Sequence, residues 1–110
     1  MGTWYINDEG YSETLDYLIV AICRDFRTRQ RAIVEKRFKR RTLMEYEYLN
    51  RQLIEATTDI VGKDYEIYID EIGNKVGYAY SKIDGISETE YKQRKREVKI
   101  RIAKRLHLMD

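Results

Sequence analysis

Apolar residues recur at helical spacing over most of this chain. Leu15, Leu18, Ile19, Ile22, Phe26 and Ile33 fall on one stripe, with steps mostly of three, four and seven residues. That periodicity predicts an amphipathic helix. Ser12 suits its N-cap, and Glu13 and Asp16 suit the positive end of its dipole. No residue type breaks the pattern before about residue 40. Thr42-Leu43-Met44-Glu45 fits a capping box and predicts a new start. One long helix over 13–61 with a break near 40 is the alternative. Tyr46, Leu49, Leu53, Ala56 and Ile60 form a second stripe, and Gly62 is a natural stop. Two facing stripes predict an antiparallel helical hairpin over 12–62.

Downstream, Asp64 can cap a third helix carrying Ile69, Ile72 and Val76. Residues 65–70 also alternate as a strand would, but no partner strand is evident, so helix is preferred. Gly73 and Gly77 weaken this helix, and a short helix or turn follows from Tyr78 to Ile83. Asp84-Gly85 marks a tight turn. Ser87-Glu88-Thr89-Glu90 is another capping box, predicting a last helix from about Glu88 to Leu106. Its buried stripe is Tyr91, Val98, Ile102 and Leu106, widened by Ile100 and Ala103. The expected fold is all-α: a long N-terminal helical hairpin, then a helix-turn-helix-like unit over 64–107. Residues 1–11 are expected as a flexible arm and 12–110 as a single helical domain.

Composition supports helix. The 110 residues include no proline, and 36% are charged, above the usual quarter. One cysteine and one histidine exclude an intrachain disulfide and a structural zinc site built by this chain alone. The apolar run Tyr17 to Cys23 is far short of the roughly 20 residues of a membrane span. A reducing, cytoplasmic setting is expected, with no membrane and no cofactor.

The net charge of +2 conceals a strong separation. Residues 1–23 hold four acids and no bases. Residues 24–41 hold nine bases against two acids, and residues 45–75 hold eight acids against three bases. Residues 92–105 hold eight bases against one acid. Basic and acidic faces can pair inside a bundle; alternatively, the basic blocks are a footprint for phosphates.

Residues 78–105 carry the constellation with most chemistry. Gly85 supplies a turn, Ile86 can tuck beneath it, Ser87 caps the next helix and Tyr91 can anchor its inner face. Thr89, Lys92, Gln93 and Arg96 then point outward with Glu88. Gln can pair with adenine, and Arg or Lys with guanine. Lys95, Lys99 and Arg101 can rest on phosphates, and Arg94 belongs to the same basic surface. Arg27, Arg31, Lys39, Arg40 and Arg41, from the first basic block, would support this helix on phosphates or form a second site. A solvated helix on a bundle would carry the same signature.

Gly85-Ile86-Ser87, then Tyr91-Lys92-Gln93-Arg94-Lys95 and the closing Ile102-Ala103-Lys104-Arg105-Leu106, resemble the final helix-turn-helix of small phage and mobile-element transcription regulators. These include the ArpU-type late regulators, themselves similar to region four of bacterial sigma factors. The resemblance covers residues 78–106, and the preceding helical region fits in layout. It implies a DNA-binding regulator whose last helix enters the major groove. A homodimer is expected through the long apolar stripes of the first two helices. The rival expectation is a small phage-encoded inhibitor that binds a host polymerase or nuclease, CRISPR effectors included.

No catalytic grouping emerges, and an enzyme is not expected. Cys23 lies beside the apolar stripe with no histidine near in sequence, so it reads as a buried thiol. Acid pairs such as Glu45/Glu47 do not face one another on a helix. Ten tyrosines are many for this length. Tyr65, Tyr68, Tyr78 and Tyr80 read as half-buried core, or as a contact patch for a protein or a single strand.

Overall fold

A computed structural model of the protein describes residues 10–110. Among these residues the structure is all-helical, with five α-helices: α1 (Glu13–Arg24), α2 (Phe26–Glu35), α3 (Arg40–Val61), α4 (Tyr65–Gly73) and α5 (Glu88–Arg105). No helix among them is long and apolar enough to cross a membrane. The expected flexible arm lies outside the described residues for positions 1–9. Its end is docked: Tyr11 packs against the core, and its hydroxyl donates to Asp16 Oδ1 at 2.8 Å.

Local capping operates at both predicted serines. Ser12 Oγ accepts from the Leu15 amide and Ser87 Oγ from the Glu90 amide, each at 3.1 Å. Gly62 ends α3 with φ of 63°. Thr42 does not start a helix, because α3 begins at Arg40 and Thr42 sits inside its first turn.

The expected continuous helix over 13–40 is divided at Asp25. The break is held by buried polar groups. Arg29 Nη2 donates to the Ile22 carbonyl at 2.7 Å, and its Nε donates to Asn50 Oδ1 at 2.6 Å. Asn50 Nδ2 in turn donates to the Phe26 carbonyl at 3.1 Å. A buried guanidinium is costly unless its donors are satisfied, so this triad ties α2 to α3. Helix α2 then stops at Lys36, which adopts the left-handed region at φ 52°. The Arg37 amide reaches back to Ala32 O, and the Lys36 amide to Ile33 O, which forms a Schellman cap without glycine.

The core joins Ile19, Val20, Cys23 and Phe26 to Leu53 and Ala56, Ile69 and Ile72, and Val98, Ile102 and Ala103. Leu18, expected in the first stripe, is exposed. The inward face of α1 is rotated towards Val20 and Cys23, because α1 packs on α4 and α5 while α2 packs chiefly on α3. The hairpin is therefore formed by α2 and α3. Gly73 permits close approach of α4 to α1: a Cβ there would lie 2.6 Å from the Arg24 backbone.

Residues 74–87 link α4 to α5 with one 3-10 turn, Tyr78–Tyr80. This link is longer than the turn of three to four residues in a helix-turn-helix. It is held by Glu71, only 4% exposed, whose carboxylate accepts from Ser81 Oγ at 2.6 Å, Lys82 N at 2.7 Å and the Tyr91 hydroxyl at 2.8 Å. Tyr68 is buried, whereas Tyr80 is 86% exposed, so the tyrosines of this region divide between core and surface.

Candidate nucleic-acid interface

The two basic blocks meet different fates. On α5, most cations are engaged within the fold. Lys92 pairs with Glu88 and Arg94 with Glu90, both at 2.8 Å and one helical turn apart. Lys95 donates to the Val76 carbonyl at 2.7 Å and lies over the Tyr91 ring. Burial pushes the Lys95 ammonium below its ordinary pKa, helped by the charge of Lys99. Arg96 lies over the Tyr11 ring. Lys99 pairs with Asp16 at 2.8 Å, Arg101 with Asp59 at 3.2 Å, and Arg105 with Glu55.

Asp16 is correspondingly perturbed. Burial works to raise its pKa, but the hydrogen bonds from Lys99 and Tyr11 outweigh burial and hold it below the ordinary aspartate value. Burial also pushes the Tyr11 phenol up, and the bond to Asp16 adds to this. Cys23, buried among apolar groups, has a thiol pushed up to about 12, so it stays protonated.

The outward stripe of α5 is Glu88, Thr89, Lys92, Gln93, Glu97, Arg101 and Lys104. Thr89 and Gln93 do point to solvent, as a base reader requires. Yet Gln93 and Arg94 line a small cleft with Glu90 and Glu97, which repel phosphate.

The first block presents a different surface. No residue from Ile33 to Leu49 is buried, so the closed end of the α2–α3 hairpin stands clear of the core in a molecule 46 Å long. Between Arg31 and Arg41 lie six bases and one acid. Arg37 pairs with Glu35 at 2.6 Å, and Arg41 lies 3.8 Å from Glu45 with both side chains largely in solvent. Arg31, Lys36, Lys39 and Arg40 are exposed and have no ion-pair partner among the described residues. Arg27, nearer the body, pairs with Asp70.

Among these cations stand uncovered apolar groups. Val34 is 81% exposed, Met44 58% and Phe38 51%. The Phe38 ring meets Tyr46 in a T-shaped contact at 5.9 Å. A cleft of about 620 Å³ between the helices is lined by Ile33, Lys36, Phe38, Arg40, Leu43, Met44 and Glu47.

Thus Lys39, Arg40 and Arg41 stand together at the closed end of the hairpin, while Arg31, beside the buried Ala32, lines a neighbouring cleft with Arg27 and Glu35. The first turns of α5 do not join them. Gln93 and Arg94 lie beside Ile60 at the far end of α3, roughly 27 Å from Thr42 at 1.5 Å per residue. The outer part of the first block therefore does not flank the first turns of α5; it is a separate basic surface. The apolar stripes expected to face a second copy are largely spent within the chain: Ile19, Phe26, Leu53 and Ala56 are core. Lys36 and Phe38 are missing from the sequence-predicted set. The signal for them is an aromatic set among bases, Lys36-Arg37-Phe38-Lys39-Arg40-Arg41.

The described residues hold no cluster of three or more metal-ligating side chains. Compared with protein-family models, curated proteins and solved structures, the chain finds no match.

Proposed function

We propose that the protein binds nucleic acid, gripping the sugar–phosphate backbone with the end of the α2–α3 hairpin. The observation that carries this reading is the group of exposed cations without acidic partners: Arg31, Lys36, Lys39 and Arg40. A cation already in an ion pair must break that pair to reach a phosphate; these four need not. Lys36, Lys39 and Arg40 stand on the stretch from Ile33 to Leu49, none of which is buried.

DNA is the ligand implied by the resemblance to phage and mobile-element regulators, and a role in transcription belongs to the same proposal. In that setting the outward residues of α5, Thr89, Lys92, Gln93 and Arg101, make a second and weaker contact. The uncovered Val34, Phe38 and Met44 favour one rival, a protein partner such as a polymerase or nuclease complex.

The test is fluorescence anisotropy with labelled random-sequence DNA across a salt series. Each phosphate contact contributes about 0.7–0.9 to the slope of log K against log salt. The triple change Lys36→Gln, Lys39→Gln and Arg40→Gln should lower that slope by about 2–3. The pair Lys92→Gln and Arg101→Gln should change it by less than about 1. An unchanged slope in the triple variant would remove the hairpin from the interface. Absence of binding by the parent protein at low salt would overturn the reading in favour of a protein partner.

A further inference from the structure

We infer that the hairpin end takes unpaired nucleic acid, with a base stacked against Phe38 while Lys36 and Arg40 hold the adjoining phosphates. This inference rests on the nucleic-acid reading and names its ligand class.

A closed duplex presents phosphates outward and keeps its base faces stacked inside. Against such a surface, bare hydrocarbon gains nothing. The hairpin end nevertheless leaves Val34, Phe38 and Met44 more than half exposed among its bases. A single strand offers both chemistries at once: phosphates for the cations and apolar π-faces for the rings.

Geometry supports this pairing at one place. Lys36, Phe38 and Arg40 line the same cleft, so an aromatic ring and two cations share one opening, with Glu47 as its one acid. Neither cation has an ion-pair partner among the described residues. The T-shaped contact with Tyr46, 80° between planes, orients the Phe38 ring. Whichever ring supplies the edge, that contact leaves at least one face of Phe38 uncovered. The cleft volume, about 620 Å³, lies in the range that holds small-molecule ligands, so a base with its sugar has room.

The same cleft argues against a second copy of this chain as its occupant. A tip-to-tip contact would set the six bases of one hairpin end against the six of the other, and like charges placed together oppose association.

The experiment compares a labelled random-sequence single strand with its own duplex, binding each to the full chain at one fixed low salt concentration. The strand should bind at least about ten-fold more tightly. Phe38→Ala should weaken strand binding by roughly five- to 150-fold, the effect of losing one stacked base. Its effect on duplex binding should stay within about two-fold, and Phe38→Trp should keep the strand preference. Far-UV circular dichroism of both variants checks that the hairpin is intact. Equal affinity for strand and duplex, or equal losses on both with Phe38→Ala, would overturn the stacking inference and leave phosphate binding in place. Absence of binding to both by the parent protein would overturn the nucleic-acid reading itself.

Discussion

Replacing Gly73 with alanine adds one methyl group where α4 meets the backbone of α1. The added Cβ would lie 2.6 Å from both the Cα and N of Arg24 and 2.8 Å from the carbonyl carbon of Cys23. Carbon atoms in contact prefer about 3.5–4.0 Å. Relief therefore requires α1 and α4 to part by about 1 Å, since backbone atoms cannot turn aside as a side chain can. Overpacking of this kind costs about 1–3 kcal/mol. Separation also stretches the bond from Arg24 Nε to the Gly73 carbonyl, now 3.2 Å. The helix-propensity gain from glycine to alanine is up to about 1 kcal/mol in a helix interior and smaller at a last residue such as this. The balance is a net loss of about 2 kcal/mol, or a Tm lower by roughly 8–16 °C. Thermal and urea unfolding followed by circular dichroism measures both quantities. Gly77→Ala is the control, because nothing lies within 4 Å of a Cβ there. It should change stability by less than about 0.5 kcal/mol. A Gly73→Ala protein as stable as its parent, or a control equally damaged, would refute the close approach of α1 and α4.

Two further outcomes follow from buried polar groups. Glu71→Ala leaves Ser81 and the Lys82 amide without their acceptor, which should cost about 2–4 kcal/mol. It should also accelerate hydrogen exchange at the Lys82 amide, and unchanged exchange there would show that the link is held by other contacts. Asp16 has a folded pKa below its ordinary value of 3.8, so its pairing with Lys99 stabilises the fold above that value and loses effect as pH falls through the folded pKa. The stability gap between the parent and Lys99→Met should be flat from about pH 7 to about pH 5 and should narrow below about pH 4. A gap independent of pH throughout would refute the ion pair as its source.

The parts of the fold legible from sequence are those set by near neighbours. Ser12 and Ser87 start helices because each side chain bonds an amide three residues ahead. Gly62 ends one because only a residue tolerant of positive φ turns the chain there at no cost. The helix over residues 65–73, α4, is told from a strand by the lack of a partner strand in the sequence. The break at Asp25 is not legible in this way, since its buried supports include Asn50, on another helix. Nor is the stop at Lys36, where a residue poorly suited to the left-handed region is held in it by backbone hydrogen bonds.

The same division applies to the site. Sequence by itself determined the helical class, the helix starts after Ser12, Asp64 and Ser87, the stop at Gly62 and the presence of two basic blocks, because periodicity, capping and charge counts depend on residues a few positions apart. Tertiary structure alone decided which cations remain available. Lys99 meets Asp16 and Arg101 meets Asp59 across different helices, whereas Lys36, Lys39 and Arg40 extend past the end of the core and Arg31 is exposed beside it. Two blocks of similar charge along the chain thus became one set largely engaged within the fold and one whose members Arg31, Lys36, Lys39 and Arg40 stay without an ion-pair partner among the described residues. The reason is that charge is a property of a residue, but its pairing depends on which distant acid the packing of apolar faces brings within reach.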